Sequence, residues 1–262
     1  MTGQAIDQAV DELRDIALEA GDAAGFFPAL YVRVTQDIAA GIRDTRFENG
    51  ERMERLIEAF ADHYIRARTG QMPVPRCWQA TWDVAGDPGL LIVQHLLLGA
   101  NAHVNHDLAQ AVVEVAPEFG GLAAMRDDFH TVNDVLAGSF TGVIRDLDRV
   151  SRWTSAAAVL GGGRLFHFSL RVARSQAWDT AERLHPLDEP GRRGLMREVD
   201  RLVSVLAYLI TRPVFPLGVA VWLARRVEQR DAAAVTRALL GTPVGHLANE
   251  PASPTTTSTT SR

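Results

Sequence analysis

Hydrophobic residues recur at helical spacing along most of the chain, whereas the alternation of apolar and polar residues that is typical of strands is almost absent. This pattern predicts helices over residues 4–20, 26–44, 48–68, 88–115, 122–151, 164–185, 190–211 and 214–240, with a short helix after Cys77. Asn49 or Gly50 is expected to cap the third helix. The sequence therefore predicts an all-α fold, a single-domain helical bundle of about eight or nine helices.

The end of the chain has a different composition. Residues 243–262 are rich in Ser, Thr and Pro, and such low-complexity segments do not bury enough apolar surface to fold. No linker upstream is long enough to require a second domain, and the segment LGGG at 160–163 is a glycine linker that only separates two helices. We therefore expect one all-α domain over 1–242, followed by a disordered tail over 243–262.

Charge and cysteine content narrow the class of protein. The net charge of −5 gives no basic surface for phosphate, so we expect no nucleic-acid partner. The lone Cys77 forms no internal disulfide, and without other cysteines we expect no thiolate metal site. The N-terminus lacks the pattern of a signal peptide, and the apolar run 89–102 is shorter than a membrane span and interrupted by His95. These features predict a cytoplasmic protein without a membrane span.

The most informative segment is LLLGANAHVNHDLAQAV, residues 97–113, where polar groups interrupt the most apolar predicted helix. At about 100° per residue, His103 and Asp107 share one face of the helix, while Asn101 and Asn105 share another. The small residues Gly99, Ala100 and Ala102 would let a second helix approach closely. The pattern predicts that His103 and Asp107 form the site and that the two asparagines support it.

Three interpretations of His103 and Asp107 stay open. Both can bind a metal ion, and His130 and Asp134 on the next helix repeat the spacing, as in a dinuclear site of a helical bundle. Zinc would then activate water and iron would activate oxygen. Without a metal, Asp107 or Asp128 would orient His103 as a general acid or base. The third interpretation is a buried polar network without catalysis.

Further polar residues are expected to bind substrate or to support the catalytic group, which would comprise His103, Asp107 and Asp128. Arg171 and Arg174 share a helix face with Trp178 and are suited to a carboxylate or phosphate, or to a salt bridge with another helix. Tyr31, with Thr35, lies on a helix that either faces the same pocket or only packs in the core. The complete set of expected supporting residues is His95, Asn101, Asn105, Asn133, Tyr31, Arg171 and Arg174.

Several segments together resemble a known family. FFPALYVRVTQDIAAGI, FENGERMERLIEAFADHYIRA, QHLLLGANAHVNHDL, DFHTVNDVL, DLDRVS and FSLRVARSQAW occur in this order within about residues 24–185. They resemble an actinobacterial family catalogued as domain of unknown function 5995. The family pattern is matched by His95, Asn101, His103, Asn105, Asp107, Asp128, Asn133, Arg171, Arg174 and Trp178. His63, His106, His130 and Asp134 depart from it, which weakens the dinuclear interpretation and implies that His106 is incidental.

That family brings no established activity. The His-x-x-x-Asp segment is also loosely similar to the all-helical zinc-dependent phospholipase C and single-strand nuclease group, but the H-x-x-x-E segment and N-terminal Trp ligand of that group are missing. We expect an enzyme that acts on a partly hydrophobic small molecule through His103 and Asp107, which serve either as ligands of zinc or iron in a hydrolase or oxygenase or as a base and the residue that orients it. The alternatives are a metal-free cyclase, lyase or isomerase of specialised metabolism and a noncatalytic binding or scaffold protein. A homodimer is left open.

Overall fold

The computed structural model describes residues 3–150, 163–213 and 231–241, together with positions 221, 222, 224–226 and 228. All regular structure within these residues is helical. The α-helices are α1 (Gln4–Glu19), α2 (Phe26–Arg43), α3 (Gly50–Arg68), α4 (Arg76–Trp82), α5 (Ile92–Ala102), α6 (Leu108–Val115), α7 (Leu122–Val150), α8 (Gly163–Leu184), α9 (Glu189–Thr211) and α10 (Ala232–Leu239). The predicted all-α fold is confirmed.

One hydrophobic core joins these helices. It contains Leu13 of α1, Phe27 of α2, Leu56 of α3, Met125 of α7 and Val235 of α10, all of them buried. Apolar side chains from both ends of the chain therefore leave water together, which is the arrangement of a single domain. Four predicted features lie outside the described residues: the rest of the predicted helix 214–240, the glycines at 161 and 162, the domain end at 242 and the tail 243–262.

The polar helix differs from the predicted continuous α-helix over 88–115. It begins at Ile92, where the Gln94 side chain accepts a hydrogen bond of 3.0 Å from the Leu91 backbone N–H. A π-helical turn, His103–Asp107, then joins α5 to α6. A π-helical turn holds more residues than an α-helical turn, so the rotation of 100° per residue does not extend across it. The turn changes the direction of His106 relative to its neighbours, whereas His103 still lies beside Asp107 and Asn105 beside Asn101 as the sequence predicts.

Helix α2 approaches α5 closely at Gly99. A Cβ atom at this glycine would lie 2.3 Å from Cγ of Phe27, which is too short for any real contact. The prediction that a small residue here admits a neighbouring helix is confirmed. The close approach places the Phe27 ring 5.4 Å from the His103 ring, measured between centroids. Helix α2 thus contributes directly to the surroundings of the polar segment.

The start of α3 is fixed by a side-chain cap and by a contact from α7. Asn49 Oδ1 accepts a hydrogen bond of 2.9 Å from the Arg52 backbone N–H, as predicted for the cap of this helix. The carboxylate of Asp128 on α7 accepts hydrogen bonds from the backbone N–H groups of Glu48 and Asn49, at 2.7 and 3.0 Å.

No helix of the described part of the chain is long and apolar enough to cross a membrane.

Candidate functional site

Asp107 is the centre of the polar cluster and is only 2% exposed. Its Oδ2 accepts hydrogen bonds from Trp78 Nε1 at 2.9 Å and from His103 Nδ1 at 3.0 Å, while Oδ1 accepts from His106 Nδ1 at 2.7 Å. Burial alone would raise the pKa of this carboxyl, but the hydrogen bonds from both histidines lower it below its usual range. Because an ionised carboxylate only accepts, each histidine carries its proton on Nδ1.

His103 is held in an aromatic cage. Its ring stacks on Phe60, with centroids 3.6 Å apart and an angle of 6° between the planes, and Tyr31 packs edge-on at 4.5 Å. The ring is 2% exposed, and its Nε2 has no hydrogen-bond partner among the described residues. Burial lowers the pKa of His103 against the opposing effect of Asp107, so the ring is neutral and Nε2 offers a lone pair.

An apolar pocket of about 80 Å³ lies beside this ring. Most of the wall is aliphatic or aromatic, and the polar side chains that line it are His103, Tyr31, Thr35 and Arg174. The Tyr31 hydroxyl and Thr35 Oγ1 are buried without hydrogen-bond partners among the described residues. Burial, with a contribution from the Asp107 charge, raises the pKa of Tyr31 well above its ordinary value, so it stays a phenol. The pocket thus combines an apolar wall with a few polar atoms that lack partners.

Arg174 on α8 is a buried cation in the wall of this pocket. Its Nε donates to Asn133 Oδ1 at 2.9 Å and its Nη2 to the Phe129 carbonyl at 2.6 Å, while the guanidinium lies over the Phe129 ring at 4.3 Å. Burial lowers its pKa to about 9, so it stays charged at neutral pH. No carboxylate of the described residues forms an ion pair with it. The predicted Asn133 acts here by holding Arg174.

Asp128 does not belong to the site, contrary to the sequence prediction. Its Oδ2 lies 2.5 Å from Arg52 Nη2, and the same carboxylate caps the backbone before α3. With these donors around it, the carboxylate links α7 to the beginning of α3. The expectation that Asp128 orients His103 is therefore wrong.

The second His-x-x-x-Asp segment and Arg171 also lie elsewhere. His130 and Asp134 are exposed on α7, whereas His103 and Asp107 are buried, so the two pairs do not form a dinuclear site. Arg171 is exposed on α8. Position 171 comes only three residues before 174, yet it faces water while Arg174 faces the core. These predictions are wrong because helical spacing alone did not show which face of each helix is buried.

Asn101, Asn105 and His95 form no part of the pocket wall. Asn101 Nδ2 donates to the Val203 carbonyl of α9 at 2.9 Å, and Asn105 Nδ2 donates to Asn101 Oδ1 at 3.1 Å. The asparagine face of the polar segment thus docks against α9, as its predicted supporting role requires. His95 packs edge-on against Phe26 and lines a second pocket of about 210 Å³.

Two residues of the cluster escaped the sequence analysis. His106, expected to be incidental, is 6% exposed and binds Asp107. Trp78 also binds Asp107, from a helix 29 positions earlier in the chain, and no local pattern links the two. The sequence did contain a signal for His106. It directly precedes Asp107, and a histidine next to a buried aspartate is well placed to donate a hydrogen bond to it. Because position 106 departs from the family pattern, the sequence analysis nevertheless predicted that His106 is incidental.

The predicted binding of zinc or iron by His103 and Asp107 does not fit the hydrogen bonds of this pair. Oδ2 of Asp107 already accepts two N–H donors, and one of these donors is Nδ1 of His103, so this oxygen and this nitrogen are bonded to each other and do not share one zinc or iron ion. Among the described residues, one group of three candidate ligands occurs: Cys77, His106 and Asp200. The expectation that the lone cysteine excludes a thiolate site therefore overlooked ligands of other types.

The fold and the cluster define a class: an all-α single-domain protein with a buried histidine–aspartate pair whose histidine lines an apolar pocket. The chain belongs to a family of unknown function, DUF5995, which residues 6–213 match. No curated protein and no solved structure shows significant similarity to the chain. Five expectations from the sequence stay predictions: the actinobacterial source, the likeness to zinc phospholipase C, the cytoplasmic location, the lack of nucleic-acid binding and the homodimer.

Proposed function

We propose that the protein is a small-molecule enzyme that transfers protons on a partly hydrophobic acid, without a metal at the His103–Asp107 pair. His103 Nε2 is the base, Asp107 orients it, and Arg174 pairs with the acidic group of the substrate. The reaction class is that of an isomerase, in which His103 moves a proton from one atom of the substrate to another, or that of a lyase, in which His103 takes a proton while the neighbouring group departs with its bonding electrons and accepts that proton. One observation carries the proposal: the same apolar pocket is lined by a histidine whose Nε2 has no hydrogen-bond partner, and by a buried arginine that has no acidic partner, among the residues that the structure describes.

The histidine is suited to accept a proton. A neutral ring with Nδ1–H bound to a carboxylate is fixed in the tautomer that presents the Nε2 lone pair. When Nε2 takes up a proton, the resulting imidazolium is stabilised by the Asp107 charge at 3.0 Å. Stacking on Phe60 keeps the ring from rotating, so the base is held in one orientation.

The arginine defines the class of substrate. An unpaired guanidinium in an apolar environment is costly to bury, and a carboxylate from the ligand would offset that cost. The pocket is smaller than the roughly 150 Å³ engineered cavity that holds benzene, so the ligand is a short acid unless the walls move. The Tyr31 and Thr35 hydroxyls would bind a further oxygen of the substrate, such as a carbonyl on which negative charge develops.

Binding is tested with short monocarboxylic and 2-oxo acids, each compared with its uncharged amide by titration calorimetry. We expect the acids to bind more tightly than the amides, by at least about tenfold, because a buried charged hydrogen bond contributes more than about 1.4 kcal/mol. Arg174→Met should abolish the difference, whereas Arg171→Met, exposed on the same helix, should keep it. Equal binding of acids and amides by the wild type would contradict the proposed substrate class.

Proton transfer is tested by exchange in D2O. The carbonyl of 2-oxobutyrate acidifies its neighbouring C–H bonds, so a positioned base should accelerate uptake of deuterium at that carbon. His103→Gln should lower this rate by about 100-fold or more, since a general base typically contributes that much. If His103→Gln retains the wild-type exchange rate on every bound acid, His103 is not the base.

A noncatalytic carrier of small acids is the second candidate. It is favoured by the apolar wall, because Arg174 and aliphatic side chains are sufficient for binding and leave the histidine a structural role. The two experiments separate the candidates. A carrier would bind the acids through Arg174 but would cause no exchange, and His103→Gln would alter stability alone.

A further inference from the structure

A second polar group adjoins Asp107 through His106, and none of its three residues lines the apolar pocket. It combines a sulfur from Cys77 on α4, a ring nitrogen from His106 in the π-helical turn and a carboxylate oxygen from Asp200 on α9, all within 4.8 Å of one another. Cys77 is completely buried, His106 is 6% exposed and Asp200 is half-buried. Three separate helical segments therefore bring three different donor atoms to one point.

These donor types are the ones that zinc prefers. Zinc in proteins is bound by cysteine sulfur, histidine nitrogen and carboxylate oxygen, and three protein ligands leave its fourth position open. Calcium and magnesium prefer oxygen ligands alone, so a site with sulfur and imidazole is not suited to them. The mixed set thus distinguishes this group from a cluster of surface carboxylates.

His106 is oriented in the way that metal-binding histidines usually are. Its Nδ1 donates a hydrogen bond of 2.7 Å to Asp107 Oδ1, so Nε2 is the nitrogen left for an ion. Histidine ligands of zinc commonly donate their other ring N–H to a carboxylate, which fixes the tautomer and makes the ligand more basic. No hydrogen bond to Nε2 occurs within the described residues. This is an observation independent of the proximity of the three donors.

Asp200 is also held in place. Its Oδ1 accepts a hydrogen bond of 2.9 Å from the backbone N–H of Cys77, and its Oδ2 accepts one of 3.1 Å from that of Arg76. The carboxylate is therefore fixed at the beginning of α4, next to the cysteine with which it would share an ion. Each oxygen retains a further lone pair for a metal, because a carboxylate offers about four acceptor positions.

We propose that Cys77, His106 and Asp200 bind one zinc ion, with Asp107 as the residue that positions His106. Binding converts the Cys77 thiol to a thiolate and releases its proton to the solvent. The ion joins α4, α9 and the π-helical turn, and its fourth position is left for water or a small ligand. The site does not include His103 or the apolar pocket, so it is independent of the proposed proton transfer.

The test starts from full-length protein that is stripped with a chelator and then titrated with Zn²⁺ or Co²⁺. We expect one zinc per chain by elemental analysis and, with cobalt, the near-ultraviolet absorption of a thiolate-to-metal charge transfer. Cys77→Ser and Asp200→Asn should each weaken zinc binding at least about tenfold. His130→Gln and Asp188→Asn replace exposed residues of the same types and should bind zinc as the wild type does.

Two further measurements keep the result decisive. If Cys77→Ser unfolds, Cys77→Ala is compared with the wild type by thermal unfolding with and without Zn²⁺: zinc should raise Tm only in the wild type. His103→Gln should keep the zinc stoichiometry, which distinguishes this site from the proton-transfer site. Folded wild-type protein that binds no zinc, or that binds cobalt without the thiolate absorption, would overturn the proposal.

Discussion

The indole N–H of Trp78 donates to Asp107 Oδ2, the same oxygen that accepts from Nδ1 of His103. This contact joins α4 to the π-helical turn through a residue that is completely buried. It explains how so polar a segment lies in the core: each costly group is the hydrogen-bond partner of another. Asp107 is the shared acceptor, so the cluster depends on its charge.

Replacing Asp107 by asparagine should destabilise the fold. An amide has one acceptor oxygen and loses the negative charge, so three buried N–H donors compete for it. We expect the free energy of unfolding to fall by about 2–4 kcal/mol, measured by urea denaturation. Asp127→Asn, exposed on α7, should change it by no more than about 0.5 kcal/mol. Equal stability of the two variants would show that the cluster does not depend on the Asp107 charge.

The sequence was sufficient to predict the helices and the pair at the centre of the site. Hydrophobic periodicity located amphipathic helices such as α1 and α3 because each buries one face, the apolar run located α5, which is buried on all sides, and the four-residue spacing placed His103 beside Asp107. Gly99 was recognised as a close contact for the same reason: a missing side chain on a buried face leaves room for another helix. These are local properties that depend only on neighbouring residues.

The partners of the site could not be predicted, because they come from distant helices. Trp78 and Asp200 reach the polar segment only after α4 and α9 pack against it. Asp128 was misassigned since a buried carboxylate looks the same in sequence whether it orients a histidine or binds Arg52. The π-helical turn was also missed, and with it the direction of His106, because hydrophobic spacing assumes a regular α-helix.

The close packing at Gly99 should not tolerate a methyl group. Gly99→Ala would place Cβ 2.3 Å from the Phe27 ring, which must move and disturb the cage around His103. We expect a loss of about 1–3 kcal/mol in the free energy of unfolding. Gly194→Ala is the matched control: a Cβ there meets nothing within 4 Å, so the higher helix propensity of alanine should stabilise by about 0.5–1 kcal/mol. The two variants should therefore shift Tm in opposite directions.

Asp128 should matter for stability and not for the pocket. Asp128→Asn leaves Arg52, which is 5% exposed, without a buried counter-charge, and we expect a loss of about 3–5 kcal/mol. Combining it with Arg52→Met should cost less than the sum of the single changes, because the second change removes the unpaired charge. Folded Asp128→Asn protein should bind short acids as the wild type does. A loss of acid binding at full stability would restore Asp128 to the site.

Two buried groups in the second pocket should give the stability opposite dependences on pH. Burial lowers the pKa of His95 to about 4 and raises that of Glu228 to about 7. Between about pH 6.5 and 4 the unfolded chain protonates His95 and the folded chain does not, so stability falls as pH decreases. Between about pH 4.5 and 7 the unfolded chain has lost the Glu228 proton that the folded chain retains, so stability falls as pH increases.

These effects oppose each other in the overlapping range, and single variants should separate them. His95→Gln removes the first effect, so its stability relative to the wild type should improve steadily as the pH is lowered from about 6.5 to 4.5. Glu228→Gln removes the second, so its relative stability should improve as the pH is raised through about 7. Urea denaturation at a series of pH values gives both slopes. Parallel pH profiles for the wild type and both variants would mean that neither group changes its pKa on folding.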